Sequence, residues 1–431
     1  MRPIAISLAP NAERADVWRA FFLLLRPWRW RRGRARRERV RMLEEEFRRH
    51  FGTAHVWSFN SGRSALYVLL KALGVGEGSE VIVQAFTCNA VPNPILWLGA
   101  TPVYADIEER TFNLDPAAAE RKITERTKAL IIQHTFGIPA DVERIVGIAR
   151  QRNLVVIEDC AHSLGAKANG QKLGTFGDAA FFSFGRDKVI SSVYGGMLAV
   201  KDGALAQKIA AAYEHVALPP RRWVFQQLVH PVIFALALPF YRLGIGKLMI
   251  AVARRLHLLS VAVSRAERQG EKPAVFPARL PEALAALALA QFRRLEKFNE
   301  YRRGIAHYYE TELMQLNERI NNTPQHAQQE TYRLPLVHEG ATPVWLRYPV
   351  CCANAAELLT AARKKGIYLG DWYREVVAPQ GTDLATMGYH KGACPVAERM
   401  AERVINLPTY PRLSFRQAEK VVRLLRSFLA A

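Results

Sequence analysis

The chain has 431 residues, of which 50% are hydrophobic and 10% aromatic, and it has a formal net charge of +21. This length predicts two domains, and the composition excludes an intrinsically disordered chain. The five cysteines form neither CxxC pairs nor a disulfide framework, which favours reduced thiols in a cytosolic protein.

Residues 1–39 are predicted to form a basic amphipathic arm. A short apolar run, 20–25, is followed by two tryptophans among many arginines. The run is too short for a secretory signal, and no small-residue cleavage site follows it. The pattern suits a helix in an anionic membrane interface, and the alternative is an arm packed on the protein with solvated arginines. Nucleic-acid binding is not expected, because no recognition helix accompanies the arginines.

Residues 40–212 are predicted to form a large domain of alternating strands and helices. The predicted strands are 55–59, 80–84, 101–105, 128–133 and 154–157. The alternation predicts an α/β fold with a mostly parallel sheet, helices on both faces, and ligands at the carboxyl ends of the strands. After the first strand, a polar turn at 60–62 leads into a helix whose first turn offers free backbone N–H groups to an anion.

The stretch 157–200 contains three polar residues in an informative order. Asp159 follows an apolar strand, Ser183 ends a second one, and Lys188 comes five residues later. Pyridoxal 5'-phosphate needs an acid for its ring nitrogen, hydroxyl and backbone donors for its phosphate, and a lysine for covalent attachment. The order predicts such a site, with Lys188 as the catalytic residue. The alternatives are a surface lysine beside Asp187 and, for Asp159, a turn residue at a strand end.

Several further motifs occur in an order that resembles the DegT/DnrJ/StrS family of sugar aminotransferases. They are Asn60-Ser61-Gly62, 99–103, Gly137 with Pro139 and Asp141, 158–162, 174–178, 182–184, Gly195-Gly196 and 406–411. The resemblance covers residues 40–201 and the chain from 281 onwards. It implies the fold-type I architecture of pyridoxal-phosphate enzymes, with a smaller C-terminal α+β domain, and a homodimer.

The cofactor-binding residues follow from these motifs. Ser183, the backbone of Gly62 and Arg63, and the hydroxyl of Ser64 are expected to bind the phosphate without a metal. The resemblance places His162 near the cofactor ring, and the alternative is a core histidine with a satisfied hydrogen bond.

Arg63 departs from the family pattern, which often has a small hydroxyl residue there, and its side chain is expected either to add a charge-assisted contact or to point to solvent. Two further residues depart from the pattern. Cys88 stands where the family stacks an aromatic ring on the cofactor, and Phe86 is the candidate to replace that ring. Pro277 stands two residues before Arg279, where the family has an asparagine that reaches the neighbouring subunit. These substitutions put the ring stacking and the second-subunit phosphate contact in doubt.

Residues 213–272 are predicted to be an insertion, far longer than an ordinary connection. Its apolar segments, 223–241 and 243–259, contain prolines or basic residues, so they are poor membrane-spanning helices and suit an interfacial hairpin. The alternative is a helical pair at a dimer interface or over the active site. Residues 273–431 are predicted to form a linking helix, 281–309, and the small domain.

The candidates for the substrate entrance are four side chains from the small domain: Tyr348, Trp372, Tyr373 and His390. The resemblance implies an aminotransferase that moves an amino group from glutamate to a nucleotide-linked keto sugar through a Lys188 internal aldimine. The basic arm and the insertion, read as membrane-binding segments, predict a lipid-linked keto sugar as the other candidate substrate. A related dehydratase would lack the lysine. The rival from another class is a non-catalytic, membrane-associated regulator or scaffold with the same fold. The expected location is the cytoplasm, peripheral on the inner face of the cytoplasmic membrane.

Overall fold

The computed structural model describes residues 3–6, 8, 11–30, 37–321 and 332–429. The strands are β1 Ile4–Ala5, β2 His55–Phe59, β3 Glu80–Gln84, β4 Thr101–Ala105, β5 Thr127–Gln133, β6 Val155–Asp159, β7 Lys167–Ala168, β8 Gln171–Lys172, β9 Ala179–Ser183, β10 Gly196–Val200, β11 Ala341–Thr342, β12 Tyr348–Cys351, β13 Ile367–Tyr368 and β14 Val404–Leu407. The helices are α1 Arg14–Leu24, α2 Glu38–Phe51, α3 Gly62–Ala72, α4 Pro92–Leu96, α5 Pro116–Glu120, α6 Val142–Gln151, α7 Gly203–Glu214, α8 Arg221–Ala237, α9 Ile245–Arg255, α10 Arg265–Arg268, α11 Glu282–Phe292, α12 Leu295–Asn321, α13 Ala355–Lys364, α14 Pro395–Arg403 and α15 Phe415–Leu429. Residues 31–36, with four arginines of the predicted arm, lie outside the described residues.

A seven-stranded sheet organises the first half of the chain, in the order β2-β10-β9-β6-β5-β3-β4. The four neighbouring pairs from β9 to β4 are parallel, and β10 runs antiparallel to both β9 and β2. The α/β fold with a mostly parallel sheet is therefore confirmed. Because β10 is the one reversed strand, β2, β9, β6 and β5 all end at the same edge.

The apolar side chains of the sheet alternate between two large cores. One core includes Leu130 and Phe182, and the other includes Ile131 and Phe181. This alternation follows from the pleat, which points successive side chains to opposite faces. A third core lies between α12, α13, α15 and the pair β12–β14. The large sheet is thus covered on both faces. The polar residues at the carboxyl ends of its strands remain accessible to a ligand.

The N-terminal helix α1 packs on α8 and α11. Its buried Asp16 accepts a hydrogen bond from Gln291 at 3.0 Å and pairs with Arg294 at 2.5 Å. Its other face leaves Trp18 and Phe22 exposed, with their rings stacked at 6.0 Å. Helix α1 is therefore packed on the protein through one face and presents an apolar face to solvent.

The predicted insertion folds into α8, α9 and α10. Helix α8 lies between α1 and α9, and α9 leaves Leu248 and Val252 exposed. Among the described residues one helix, Arg221–Phe240, is long and apolar enough to cross a membrane by length and composition, although 44% of its apolar window is buried against protein.

The single helix predicted for 281–309 is wrong, because two helices, α11 and α12, meet there. At the junction, Arg293 pairs with Glu46 at 2.6 Å, and Arg294 donates to the carbonyl of Ala290 at 3.0 Å. These long side chains anchor the junction to α2 and α11, which a helical pattern in the sequence does not reveal.

Candidate active site

Three chain segments meet at the common edge of the sheet. Asp159 ends β6, Ser183 ends β9, and the turn after β2 leads to Gly62 at the start of α3. These residues line one cavity of about 450 Å³ together with Lys188 and His162. The parallel order of β2, β9 and β6 is the reason that residues distant in sequence converge there.

The start of α3 is arranged as an anion site. Ser61 is the N-cap and accepts a hydrogen bond from the Ser64 N–H at 3.2 Å. A Cβ on Gly62 would lie 3.3 Å from the Phe182 carbonyl oxygen, so glycine allows the turn to approach the sheet. The Ser64 hydroxyl donates to Asn60 Oδ1 at 2.6 Å and lies outside the cavity. Ser61 is the hydroxyl that lines the cavity, and its N-cap position was the signal that the sequence analysis did not use.

The Arg63 side chain turns toward the insertion. It forms an ion pair with Glu267, donates to the Ala262 carbonyl at 2.9 Å, and lies 4.9 Å from the Phe276 ring centroid. The guanidinium is therefore used to hold the insertion against α3.

Lys188 reaches the cavity from the loop between β9 and β10. The surrounding protein lowers the pKa of its amine by burial, and Asp187 and Asp159 partly oppose that shift. Its Nζ lies 4.6 Å above the ring centroid of Trp372. Because the amine is partly desolvated, a larger fraction is neutral and nucleophilic near pH 7 than for a surface lysine.

The Lys188 backbone is held by the N-terminal arm. Asn11 donates its amide to the Lys188 carbonyl, and buried Arg302 donates to the Val189 carbonyl at 2.8 Å. Arg302 also donates to Asn11 Oδ1 at 3.2 Å, and Gln291 donates to the Asn11 carbonyl at 3.0 Å. These hydrogen bonds fix the backbone of Lys188 and Val189.

Asp159 is buried, and burial raises the pKa of its carboxyl to about 6. The Ala161 N–H donates to Oδ1 at 2.9 Å, which partly offsets the shift, and Lys188 offsets it further. Among the described residues no hydrogen bond to the second oxygen is present. The charge of Lys188 acts on this carboxyl group from a distance, and within the described residues Asp159 forms no ion pair at 4.0 Å or less.

His162 is buried and neutral. Burial first, then Lys188 and Arg347, hold its pKa well below the usual range. Nδ1 accepts from the Phe136 N–H at 3.3 Å, so the proton lies on Nε2, which is 3.4 Å from the Tyr373 hydroxyl. The Trp372 ring stacks on His162 at 5.1 Å. A cofactor ring on that face of His162 requires Trp372 to move aside.

The two residues proposed for ring stacking lie in different surroundings. Cys88 lines the cavity, and burial raises the pKa of its thiol. Phe86 is fully buried, meets Tyr373 edge to face at 5.3 Å, and does not line the cavity. The structure therefore brings Trp372 and Tyr373, rather than Phe86, to the cavity.

The other two candidates for the substrate entrance lie elsewhere. Tyr348 is fully buried in the core between β12 and α12, where it packs on Tyr309, and His390 is exposed away from the cavity.

The insertion forms part of the cavity wall through Val261, Ala262, Val263 and Arg268. Pattern analysis of the sequence did not reveal this, because the contacts join residues far apart in the chain. Tyr194, for example, donates its hydroxyl to the Val261 carbonyl at 2.5 Å.

The residues of the cavity fit pyridoxal phosphate. A buried carboxylate that forms no ion pair in the described part of the chain suits a protonated ring nitrogen, and the N–H groups of α3 with the Ser61 and Ser183 hydroxyls suit a phosphate dianion. The lysine amine faces the same cavity. Burial, charge and donor type therefore all agree with this cofactor.

Comparison with known proteins agrees with this geometry. Residues 30–231 and 247–426 match the model of the DegT/DnrJ/EryC1/StrS aminotransferase family. A UDP-N-acetyl-3-dehydro-alpha-D-glucosamine 3-aminotransferase of Acidithiobacillus ferrooxidans is 31% identical, over 90% of this chain and 88% of its own. A pleiotropic regulatory protein of Geobacillus stearothermophilus is 30% identical, over 90% of this chain and 89% of its own. The crystal structure of S. venezuelae DesV in complex with a ketimine intermediate superposes with a TM-score of 0.72 and 26% sequence identity. The superposition covers 97% of this chain and 95% of the DesV chain.

Pyridoxal phosphate is thus the cofactor, and the fold is that of the fold-type I pyridoxal-phosphate enzymes. The matched ranges leave only residues 232–246 of the predicted insertion unmatched, and they contain Lys188, Asp159, Ser183 and Gly62. The chain belongs to the DegT/DnrJ/EryC1/StrS aminotransferase family and is an aminotransferase.

Proposed function

We propose that the protein transfers an amino group from glutamate to a keto sugar linked to a nucleotide or a lipid. The observation that supports this is the single cavity in which Lys188, Asp159, Ser183 and the start of α3 meet. The 3-aminotransferase of A. ferrooxidans, which is similar over most of both chains, supports a sugar as the acceptor.

Each residue of the cavity has a task in this reaction. Asp159 holds a positive charge at the ring nitrogen, and Ser61, Gly62 and Ser183 bind the phosphate. When bound, the cofactor supplies the electron sink that makes the C–H bond beside the amino group acidic. The Lys188 amine takes the proton from the amino-acid Cα and later delivers one to the sugar carbon. The amino acid leaves as a keto acid, and the keto sugar leaves as an amino sugar.

Two arginines support a dicarboxylic amino donor. Arg268 and Arg374 line the cavity with Lys188, and guanidinium groups bind carboxylates with paired hydrogen bonds.

The test is absorbance spectroscopy of the purified protein. The wild type should show the visible band of lysine-bound pyridoxal phosphate, glutamate should abolish the band, and a keto sugar should restore it. Lys188→Ala should lack the band, and Lys167→Ala, a change of an exposed lysine on β7, should retain it. A colourless wild type that takes up no cofactor would refute the proposal.

The rival proposal is a non-catalytic regulator with the same fold, and the similar G. stearothermophilus protein bears a regulatory name. The same titration separates the two. A regulator would bind the cofactor without losing the band in glutamate, whereas an aminotransferase must release the keto acid.

A homodimer is also proposed, from the family resemblance. Pro277 lies beside Phe276, which packs under Arg63, and a proline has no N–H or side-chain amide to donate to a phosphate of the partner. Sedimentation equilibrium should give a dimer mass. Because Pro277 supplies no donor, Pro277→Asn should tighten cofactor binding. A monomer at micromolar concentration would contradict the dimer.

We propose further that the protein is peripheral on the inner face of the cytoplasmic membrane. The apolar surface consists of exposed side chains on the adjacent helices α1, α8 and α9 and their ends. On α9, Leu248 is 65% exposed and Val252 48%, and the opposite face, with Ile250, is buried. Residues 215–266 contain basic residues and no acidic ones, which suits an anionic bilayer.

Flotation with phosphatidylglycerol vesicles tests this location. The double variant Leu248→Glu/Val252→Glu should lose vesicle binding, because two carboxylates oppose insertion into an anionic interface. The control is Met314→Glu, which alters a residue on α12 that is 51% exposed. The proposal fails if the wild type does not float or if both variants float equally.

A further inference from the structure

A second cavity adjoins the one that contains Lys188. We call it the side groove; it has a volume of about 370 Å³ and lies between the insertion and the large domain. Its apolar lining comes from Trp223, Leu259, Val275 and Phe276. Tyr194 and Val261 line both cavities, so the two spaces share a wall.

Hydrogen bonds fix the wall of the side groove. Gln226 donates to the His257 carbonyl at 2.6 Å, and Arg186 donates to the Ser260 carbonyl at 2.7 Å. Tyr194 donates to the carbonyl of Val261, as described above. These bonds connect the segment after α9 to α8 and to the Lys188 loop. The groove is therefore formed before a ligand arrives, which lowers the entropic cost of binding.

The mouth of the side groove is cationic. Arg254, in the last turn of α9, and the exposed His257 line it. The one carboxylate in the lining, Glu267, is paired with Arg63 and accepts hydrogen bonds from the N–H and hydroxyl of Ser264, both at 2.8 Å. Its negative charge is therefore neutralised within the protein, and the charge left for a ligand is positive.

This combination of surfaces selects one class of carrier. An apolar chain buried in the groove gains free energy from the hydrophobic effect, and a diphosphate gains from Arg254. Leu259, Val275 and Phe276 offer no hydrogen-bond partner to a nucleotide base, so a base gains less from this part of the lining than a hydrocarbon chain does. Arg254 of α9 belongs to the groove lining, and the same helix exposes Leu248 and Val252, so the groove and the apolar surface proposed to meet a membrane share this helix.

We propose that the side groove binds the isoprenoid diphosphate of a lipid-linked keto sugar, with the sugar placed in the adjoining Lys188 cavity. This inference rests on the proposed function and narrows its substrate to the lipid-linked class. It requires no further chemical step, because the carrier is bound and released unchanged.

Equilibrium dialysis with radiolabelled farnesyl diphosphate tests the proposal on the full chain loaded with cofactor. Arg254→Glu removes the cation at the mouth, and Val261→Trp fills the shared wall. The control is Arg255→Glu, which makes the same charge change on the next residue of α9, outside the groove lining. Both groove variants should weaken binding by about tenfold or more, equivalent to about 1.4 kcal/mol, and the control should change it less than about twofold. Inorganic diphosphate and UDP should compete at least about tenfold more weakly than unlabelled farnesyl diphosphate.

Several outcomes would overturn the inference. Equal losses in the Arg254 and Arg255 variants would indicate general surface charge, and displacement by UDP at equal concentration would indicate a nucleotide carrier. Complete displacement by phosphatidylglycerol vesicles would assign the groove to membrane lipid. The visible cofactor band is recorded for every variant. Absence of farnesyl diphosphate binding by the wild type, with its cofactor band intact, refutes the carrier alone, and a missing band in the wild type refutes the proposed function.

Discussion

At the end of β6, two adjacent carboxyl groups have pKa values displaced in opposite directions. Burial raises the pKa of Asp159 to about 6 from 3.8. Burial alone would also raise the pKa of Glu158, but hydrogen bonds from His134 and from the backbone of Gly174 and Gly177 outweigh it, so that pKa lies below 4.5. Adjacent residues therefore make opposite contributions to stability as the pH changes.

Asp159→Asn should stabilise the cofactor-free protein at neutral pH. The folded protein binds a proton on Asp159 more tightly than the unfolded chain does, so the contribution of Asp159 to stability is present below pH 3.8 and is lost as the pH rises to about 6. The variant removes that loss, so its free energy of unfolding at pH 7 should exceed the wild-type value by about 3 kcal/mol, and the difference should shrink toward pH 4. Urea unfolding at both pH values measures this.

The same substitution should abolish most of the activity. An amide does not hold a positive charge at the ring nitrogen, and removal of one such electrostatic contact costs roughly 10² in rate or more. A variant that is both less stable at pH 7 without cofactor and fully active would contradict the assignment of Asp159.

Glu158→Gln should have the opposite pH dependence. Glu158 accepts hydrogen bonds from the N–H groups of Gly174, Phe176 and Gly177 at 2.7–2.8 Å. The variant should lose roughly 1–3 kcal/mol of unfolding free energy at pH 7, and the deficit should shrink as the pH falls below 4.5, where the wild-type carboxylate takes up a proton. The control is Glu125→Gln, at an exposed residue. An equal effect of both substitutions would contradict the role of this buried carboxylate.

Among the secondary-structure elements, α9 depends on one close contact. A Cβ on Gly246 would lie 2.1 Å from the Ala237 carbonyl oxygen at the end of α8. Gly246→Ala should therefore force α8 and α9 apart, cost about 1–3 kcal/mol, and weaken vesicle binding without changing the cofactor band. Gly147→Ala in α6, where a Cβ meets nothing within 4 Å, should instead stabilise by roughly 0.5–1 kcal/mol. Calorimetry and flotation of both variants check this, and unchanged stability of Gly246→Ala would contradict the packing.

The sequence predicted elements best where local pattern decides the structure. The strands expected at 55–59, 80–84 and 101–105 coincide with β2, β3 and β4, because apolar residues bounded by turn residues specify a strand locally. The sheet edge and the convergence of Asp159, Ser183 and Lys188 follow from the α/β pattern together with the family motifs.

The remaining features depend on partners distant in the chain. The direction of Arg63 is set by Glu267, and the position of Trp372 over His162 is set by the fold of the C-terminal half. The break between α11 and α12 depends on Glu46 and on the N-terminal arm. Periodicity and motif spacing contain no information about such contacts.

Across the whole molecule, positive charge is concentrated in two stretches of sequence. Residues 17–37 and 215–266 contain no acidic residue, and they include α1 from Val17 onwards, α8 and α9. Vesicle binding should therefore depend on ionic strength, since salt screens exposed charges beyond a Debye length of about 10 Å at 0.1 M. Raising NaCl from 50 to 500 mM should weaken binding to phosphatidylglycerol vesicles by about tenfold or more, and phosphatidylcholine vesicles should bind weakly throughout. Salt-independent binding would contradict an electrostatic contribution.

The contact between Asn11 and the Lys188 carbonyl has a consequence for protein production. Together with Arg302 and Gln291, this contact joins the N-terminal arm to the loop that presents the cofactor lysine. Proteolytic clipping within about the first fifteen residues, or a bulky fusion tag placed there, would therefore weaken the visible cofactor band, and with it the yellow colour of the preparation, before the sheet unfolds. The colour of a purified batch serves as an assay of its N-terminal integrity, and affinity tags belong at the C-terminus.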